Sequence, residues 1–404
     1  MRALSKDISY DIHRVFDFRT VGMQYPNRII FGCGAIDKIG EEAAQLGKGR
    51  ALIISDEILE MIGTVSQVKD RLESAGFEVA IFAGVEPEPH LETVEKIFVE
   101  NKNDEISVII GLGGGSVMDI TKFSAQCLAH QVPPRSIGNG EYVPDSRGIP
   151  MILAPTTSGT GSEVSPIFVV TIDGDKWFLN NPYLYSDISI VDPVLTVSMP
   201  PNVTATTGLD ALTHAIEAMM HKNATPLTDI LCLGGIELAG AYLRRAYADG
   251  EDLEARYYMS LAATFSMMGM GMSGGLYAHS VAFIVGKYKP TPHGLGCALG
   301  LPYLMAYNLP VCSEKLARIA DALGESTTTL NELDAARLSV QSIFCLMEDV
   351  GIPTTLQEYG GVKESEIENA ADLMLKLYPR PFNPRPMGPE DAVQYWRDMW
   401  YGFF

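Results

Sequence analysis

The chain has 404 residues, 47% of them hydrophobic, which is long enough for two domains that each bury a core. A net charge of −20 argues against nucleic acid or an anionic membrane as a partner, because both carry the same sign of charge. The six cysteines show no Cys-x-x-Cys spacing, and we find neither a signal peptide nor a membrane span. We expect a cytoplasmic protein with reduced thiols.

The first half of the chain shows alternating strand and helix patterns. Residues 1–25 are predicted to be an N-terminal extension, and their role cannot be read from the sequence. Apolar runs predict strands at 50–57, 77–82, 106–111 and 151–154, and a helix at 91–100. This alternation is typical of a parallel sheet covered by helices. We therefore predict a Rossmann-like α/β domain over residues 1–195.

Two polar, glycine-containing stretches follow predicted strands. The first is a strand-to-helix turn formed by Gly113, Gly114, Gly115 and Ser116. Such a turn allows a pyrophosphate to approach the backbone at a helix N-terminus, although a plain turn would look the same. The second is a Thr/Ser/Gly-rich loop at 154–163 that offers the hydroxyls of Thr156, Thr157 and Thr160. Together they predict a dinucleotide site.

The second half, residues 196–404, is rich in Ala, Leu, Met and Glu and is predicted to be an all-α domain. Asp210 and His214 are four residues apart, so a helix would place both on one face. With His279 and His293 they form a set of one carboxylate and three imidazoles, which suits Fe²⁺ or Zn²⁺. Taken singly, these residues could instead be a surface pair, a core histidine and a turn residue.

Four motifs in the same order resemble those of the iron-containing (group III) alcohol dehydrogenases. They lie at 113–119, 155–163, 208–214 and 292–294, and the similarity extends from about Pro26 to Arg385. The resemblance implies a metal held by the Asp-His-His-His set, hydride transfer between a short primary alcohol and NAD, and a homodimer or larger assembly. A bound cation would act as a Lewis acid on the substrate oxygen.

The resemblance also implies roles for further residues near the cofactor. Asp119 belongs to the glycine-rich motif, and the threonine loop would lie against the nicotinamide. Asp56 would accept hydrogen bonds from the adenosine ribose and would favour NAD over NADP, or it could be a helix N-cap. Lys176 aligns with a lysine near the nucleotide, although an exposed hairpin lysine fits the local sequence equally well.

The substrate pocket is the part of the site for which the sequence leaves the most alternatives. Many relatives carry a histidine where this chain has Phe283, which argues against an imidazole proton relay there. Met270, in a methionine-rich stretch, could line the pocket or pack in the core. Lys287, like its neighbour Lys289, could bind a carboxylate, sulfonate or phosphonate tail, or could lie in a solvated loop.

Three other functions remain open from the sequence alone. A polyol- or glycerol-type dehydrogenase and a maleylacetate-type reductase share the architecture. The non-enzymatic alternative is a sensor that binds NAD and a metal. No interaction motif supports the sensor, and both groups of site motifs favour an enzyme.

Overall fold

The computed structural model of the protein describes Gly22 and residues 24–403, so the predicted extension at 1–25 falls almost entirely outside the described residues. The described strands, in chain order, are β1 (Arg28–Phe31), β2 (Arg50–Ile54), β3 (Glu78–Phe82), β4 (Ile106–Gly113), β5 (Met151–Pro155), β6 (Ile167–Ile172), β7 (Asp175–Asn180) and β8 (Ile188–Val191). The predicted strands at 50–57, 77–82, 106–111 and 151–154 are therefore confirmed, although β2 ends at Ile54, before the carboxylate, and the other strands shift by one or two residues at their ends.

The main sheet has six strands in the order β1-β8-β5-β4-β2-β3, and every neighbouring pair is parallel. β6 and β7 form a separate antiparallel hairpin. From β2 the chain moves outward to β3 and then returns to the other side of β2 as β4. In open parallel sheets a ligand binds at the carboxyl ends of the strands beside such a reversal. Asp56 and the glycine-rich turn follow β2 and β4, so they flank this point.

The helices of the first half are α1 (Ile39–Leu46), α2 (Glu57–Met61), α3 (Thr64–Ser74), α4 (Leu91–Asn101), α5 (Gly115–His130) and α6 (Pro134–Gly138). Those of the second half are α7 (Pro201–Met220), α8 (Pro226–Ala248), α9 (Leu253–Ser273), α10 (Tyr277–Tyr288), α11 (His293–Ala322), α12 (Glu332–Asp349), α13 (Leu356–Tyr359), α14 (Ile367–Leu377) and α15 (Pro389–Tyr401). Among the described residues, the chain after β8 contains helices and no strand.

Both faces of the sheet are buried. Along β2, Leu52 and Ile54 belong to one apolar cluster and Ala51 and Ile53 to another, as the alternation of side chains in a strand requires. A third and larger cluster lies among the helices of the second half. The predicted fold class, a parallel Rossmann-like sheet followed by an all-α region, is confirmed. The division at residues 195 and 196 stays a prediction.

Two helices, α8 and α11, are long and apolar enough to cross a membrane by length and composition. Of the apolar window in α11, 67% is buried within the protein, and α8 packs on α7 and α9. The core helices of a folded enzyme have the same composition, so these two helices are read as packing elements.

The threonine loop joins the two halves of the protein. Gly159 lies so close to α7 that a β-carbon there would be 2.5 Å from the Thr207 β-carbon. Gly161 has a φ of +59° and would place a β-carbon against Met267 of α9 and 2.9 Å from the Ala263 carbonyl oxygen. Only glycine permits both the left-handed backbone and the close approach. The loop is therefore packed directly onto the helical half.

Gly161→Ala tests this junction. We expect it to lower the free energy of unfolding by about 2–5 kcal/mol, because it adds left-handed strain and overpacks α9. The matched control is Gly174→Ala, since Gly174 has a φ of +87° but no atom within 4 Å of its β-carbon position. The free energy of unfolding of that control should fall only by the strain energy, about 1–2 kcal/mol. Scanning calorimetry gives the comparison, and equal melting temperatures for the two variants would contradict the packing role of Gly161.

Candidate metal and cofactor site

Helix α7 places three acidic or imidazole side chains on one buried face. Asp210, His214 and Glu217 are spaced by four and three residues, and each is at most 4% exposed. The helix can approach its neighbours closely at Gly208, where a β-carbon would contact Leu243 of α8. The sequence around these residues is otherwise apolar, so the helix is buried on nearly all sides. Three polar side chains in such a helix need partners from other elements.

Helices α10 and α11 bring the remaining histidines to this face. His279 lies in the first turn of α10 and His293 is the first residue of α11. Asp210 Oδ1 is 3.7 Å from His214 Nε2 and 3.9 Å from His293 Nε2. The ring centroids of His214 and His279 are 5.0 Å apart, and those of His279 and His293 are 5.4 Å apart. The structure therefore brings all four predicted ligands together.

The donor atoms of this cluster suit a cation. Within the described part of the chain, Asp210 Oδ1 and His279 Nε2 are buried and have no hydrogen-bond partner. Burial lowers the pKa of His214 to about 3, so its imidazole is neutral and keeps a lone pair. One carboxylate and three imidazoles match the preferences of Fe²⁺ and Zn²⁺. The four residues thus fit the metal that the sequence motifs imply.

Glu217 is a functional candidate that the sequence reasoning missed. It is fully buried, and its Oε2 lies 2.6 Å from His279 Nδ1. It also accepts hydrogen bonds from the backbone N–H groups of Leu276 and Ala278, at 2.6 and 2.7 Å. Burial raises the pKa of Glu217, but His279 and these bonds outweigh it and hold the pKa below its ordinary value. The spacing Asp-x-x-x-His-x-x-Glu on one helical face was the signal that could have revealed it.

The hydrogen bond from His279 Nδ1 to Glu217 determines which ring nitrogen is available. With the proton on Nδ1, the lone pair is on Nε2, the atom that faces the cluster without a partner. The same carboxylate satisfies two N–H groups at the start of α10. Glu217 therefore fixes both the tautomer of His279 and the position of the helix that carries it.

Cys297 also lies at the cluster. It is one turn after His293 on α11, and its Sγ is 3.5 Å from His293 Nε2. A ligand atom from each of Asp210, His279, His293 and Cys297 lies within 4.8 Å of the others. Burial raises the pKa of Cys297 well above its ordinary value, so the free thiol is protonated. The neutral thiol forms part of the wall.

The glycine-rich turn contacts the threonine loop directly. Gly113 ends β4, and Gly114 and Gly115 begin α5. A β-carbon on Gly115 would be 2.6 Å from Thr160 Cγ2, and one on Gly114 would be 3.4 Å from Thr157 Cγ2. The N–H of Thr156 donates to the Gly113 carbonyl oxygen at 2.9 Å. The predicted cofactor residues of both motifs therefore converge at the carboxyl ends of β4 and β5.

Asp119 forms a hydrogen bond with the threonine loop in the structure. Its two carboxylate oxygens accept hydrogen bonds from Ser162 Oγ at 2.7 Å and from the Val169 N–H at 2.9 Å. The fully buried Lys122 donates to Ser162 Oγ and to the Ile167 carbonyl oxygen, each at 2.7 Å. These bonds attach α5 to the threonine loop and to β6. A direct contact of Asp119 with the cofactor stays a prediction.

Three further cofactor candidates have partners within the protein. Asp56 is the N-cap of α2, where Oδ1 accepts hydrogen bonds from two backbone N–H groups at 3.0 Å. Ser116 Oγ donates to the Pro87 carbonyl oxygen. Lys176 Nζ donates to Glu88 Oε2 at 3.1 Å and to Thr171 Oγ1 at 3.0 Å. Both cap bonds of Asp56 use the same oxygen, so the other oxygen remains available for the ribose. The ribose contact stays a prediction.

Of the three pocket candidates, Phe283 contacts one of the proposed ligands, His293. Its ring stacks on His293 with a centroid separation of 5.4 Å and packs on Tyr378 at 4.9 Å. Met270 packs against the helical core, and a β-carbon on the neighbouring Gly275 would be 2.6 Å from its methyl group. Lys287 lies in the last turn of α10, not in a loop, and pairs with Asp175 of β7.

Glu217→Gln is the sharpest test of the cluster. An amide keeps one accepting oxygen and replaces the other by an NH₂ donor where three donors converge, so it would leave an N–H unpaired or invert the tautomer of His279. We expect the affinity of the apoprotein for Zn²⁺ to fall about 10- to 100-fold. Competition with a chromophoric chelator measures it. The matched control is Asp229→Asn, which alters a buried carboxylate paired with Lys315 and Arg318. An unchanged affinity in Glu217→Gln would refute the role.

Comparison with known proteins agrees with this arrangement. Residues 26–193 match the family described as iron-containing alcohol dehydrogenase, and residues 204–400 match the C-terminal part of the Fe-containing alcohol dehydrogenase family. The chain is similar to long-chain-alcohol dehydrogenase 1 of Geobacillus thermodenitrificans (strain NG80-2), with 39% identity over 85% of this chain and 88% of that protein. It is also similar to sulfoacetaldehyde reductase of Bilophila wadsworthia (strain 3_1_6), with 34% identity over 85% and 90%.

A solved structure shows the same similarity in three dimensions. The crystal structure of a 1,3-propanediol oxidoreductase superposes with a TM-score of 0.90 at 34% identity. The match covers 95% of this chain and all of the other. The similarity therefore includes both halves of the protein and the junction between them.

Proposed function

The chain belongs to the iron-containing alcohol dehydrogenase family, and from that premise we propose that it transfers hydride between a short-chain primary alcohol or its aldehyde and NAD(H). The observation that carries the proposal is the contact between the two predicted sites. The threonine loop touches α7 at Gly159 and Thr207, one helical turn from Asp210. Both cofactors would then meet in the cleft between the sheet and the helices.

The residues divide the work as follows. Asp210, His214, His279 and His293 would hold the divalent cation, Fe²⁺ in preference to Zn²⁺. The cation supplies Lewis acidity at the substrate oxygen, and NAD supplies the hydride acceptor. Glu217 orients the imidazole of His279 through Nδ1. Phe283 stacks an apolar ring on one face of the His293 imidazole.

Phe283 also bears on the movement of protons. Its ring has no group that can accept or donate a proton, so this position of the cleft cannot serve as a relay. The hydroxyl groups of the threonine loop are the protein groups of suitable chemistry on the cofactor side. Because Thr160 Oγ1 accepts from the Ser162 N–H at 3.2 Å, its own proton can be directed elsewhere.

For the substrate we favour a short tail without charge. Lys287 is paired with Asp175, while Lys289 lies 4.0 Å from the centre of the Tyr359 ring and donates to its carbonyl oxygen. The second candidate is a substrate with an anionic tail, supported by the similarity to a sulfoacetaldehyde reductase and by the position of Lys287. Polyol-type and maleylacetate-type activities are outcomes that a panel of substrates would reveal.

We propose in addition that the enzyme is cytoplasmic and assembles as a homodimer or larger oligomer. All six cysteines are free thiols, which suits a reducing compartment. β1 is an edge strand of the main sheet, so its outer side is available for pairing. Sedimentation analysis of the purified protein gives the oligomeric state.

Removal of the metal tests the proposed reaction. We expect chelation to abolish NADH formation with 1-butanol, and anaerobic addition of Fe²⁺ or Zn²⁺ to restore it. Addition of Mg²⁺ should fail, because the ligand set is rich in nitrogen. Full activity after complete stripping would overturn the mechanism. NAD binding without turnover of any alcohol would favour the sensor instead.

Phe283→His tests the position of the aromatic ring. The variant places a group that can carry a proton next to His293, so we expect a changed profile of kcat/KM against pH and an altered range of substrates. Steady-state kinetics with a series of primary alcohols, between about pH 6 and pH 10, measures both. Val281→Ala, a buried core change on the same helix, is the control. Kinetics identical to the wild type would place Phe283 outside the pocket.

A further inference from the structure

An ion pair bridges the two halves of the protein at the rim of the cleft. Lys287, in the last turn of α10, contacts the carboxylate of Asp175, the first residue of β7. The lysine side chain is 27% exposed and the aspartate 67% exposed. The pair is therefore accessible to solvent and to a ligand that enters the cleft.

Lys287 lies on the same face of α10 as the metal site. His279, Phe283 and Lys287 follow one another at intervals of four residues, so their side chains form one row along the helix. The rise of a helix places Lys287 about 12 Å along the axis from His279. A substrate whose oxygen lies at the metal cluster would pass Phe283 and reach Lys287 with the far end of its tail.

Tyr378 links this row to the ion pair. Its ring packs on Phe283 at 4.9 Å, and its carbonyl oxygen accepts a hydrogen bond from Ser280 Oγ of α10 at 2.9 Å. Burial raises the pKa of the Tyr378 phenol, Lys287 lowers it, and Asp175 raises it again. The phenol therefore lies within the electrostatic reach of both members of the pair.

The other cations around the cleft are already engaged. Lys176 pairs with Glu88, and Lys289 is held over the ring of Tyr359. Arg380 donates through Nε to Ser280 Oγ at 2.8 Å. Within α10, every residue of which is described, Lys287 is the one lysine or arginine. Lys287 is therefore the one cation that α10 itself offers to an anionic tail.

We propose that Asp175 is a specificity-determining residue: by neutralising Lys287 it removes the cation that would bind an anionic tail, so that the enzyme favours primary alcohols and aldehydes with uncharged tails. The inference rests on the proposed function and specifies the substrate class for the same site. Two carboxylates near one ammonium group would compete for it, and Asp175 is already in place. Without Asp175, an anionic substrate of suitable length would take over its position.

The test compares butanal with succinic semialdehyde, which has the same chain length and a terminal carboxylate. Wild type, Asp175→Asn, Lys287→Met and the double variant are assayed at low salt for kcat/KM with NADH. We expect Asp175→Asn to raise the kcat/KM for succinic semialdehyde relative to that for butanal about threefold to fivefold. This is the factor expected for a partly exposed ion pair. Lys287→Met and the double variant should show no such gain. Added salt should reduce the gain of Asp175→Asn.

This set separates charge from loosening of the cleft. Asp175→Asn and Lys287→Met both break the bridge, but only the first leaves an unpaired cation. An equal rise in this kcat/KM ratio in the two variants, or no rise in Asp175→Asn, would overturn the proposal. Asp173→Asn, in the same hairpin but paired with Arg135, is the matched control and should leave the ratio unchanged. Asparagine also tolerates the φ of +51° at that position.

A binding measurement distinguishes failure of this inference from failure of the proposed reaction. Calorimetric titration of the protein loaded with Zn²⁺ and NADH compares 1-butanol with 4-hydroxybutyrate, and no hydride transfer can occur because the cofactor is already reduced. Asp175→Asn should strengthen binding of 4-hydroxybutyrate about threefold to fivefold relative to 1-butanol. The same preference in the wild type and the variant would refute the role of Asp175, whatever the reaction proves to be.

Discussion

The site depends on one buried carboxylate. Glu217 reaches from α7 to the start of α10, where it accepts hydrogen bonds from the backbone of Leu276 and Ala278 and from His279. A buried charge is stable only when its hydrogen-bonding capacity is used, and here three donors use it. Without this contact neither the tautomer of His279 nor the position of α10 is determined. The positions of His279, of the aromatic ring of Phe283 and of Lys287 all depend on where that helix begins.

A second constraint couples the cofactor half to the metal half. The threonine loop can carry the predicted nicotinamide contacts only if its backbone comes close to α7 and α9, and Gly159 and Gly161 permit that approach. Asp119 and Lys122 hold the other side of the loop to α5 and β6. Because the loop is fixed on both sides, the distance between the two sites is a property of packing and not of a flexible linker. Hydride transfer requires such a fixed distance.

Charge in the cleft is arranged in pairs and not as a uniform field. The protein carries a net charge of −20, yet the lysines around the cleft are each matched by a local partner. The global sign therefore has little influence on the substrate. Local pairing across the cleft decides which substrates are favoured, since an ion pair at the rim presents little net charge to a ligand. Small changes at the rim could alter substrate preference without disturbing the metal cluster or the fold.

The sequence by itself determined the parallel sheet, the helical second half, the glycine-rich turn and the four candidate ligands, because these depend on local periodicity and on short motifs. It left Glu217 and Asp175 without a role, and for Lys287 it offered a solvated loop or the binding of an anionic tail. The partners of Glu217 and Asp175 lie 62 and 112 residues away along the chain. Only tertiary packing decided which of these groups meet, because a carboxylate does not by itself specify a distant residue that it will contact.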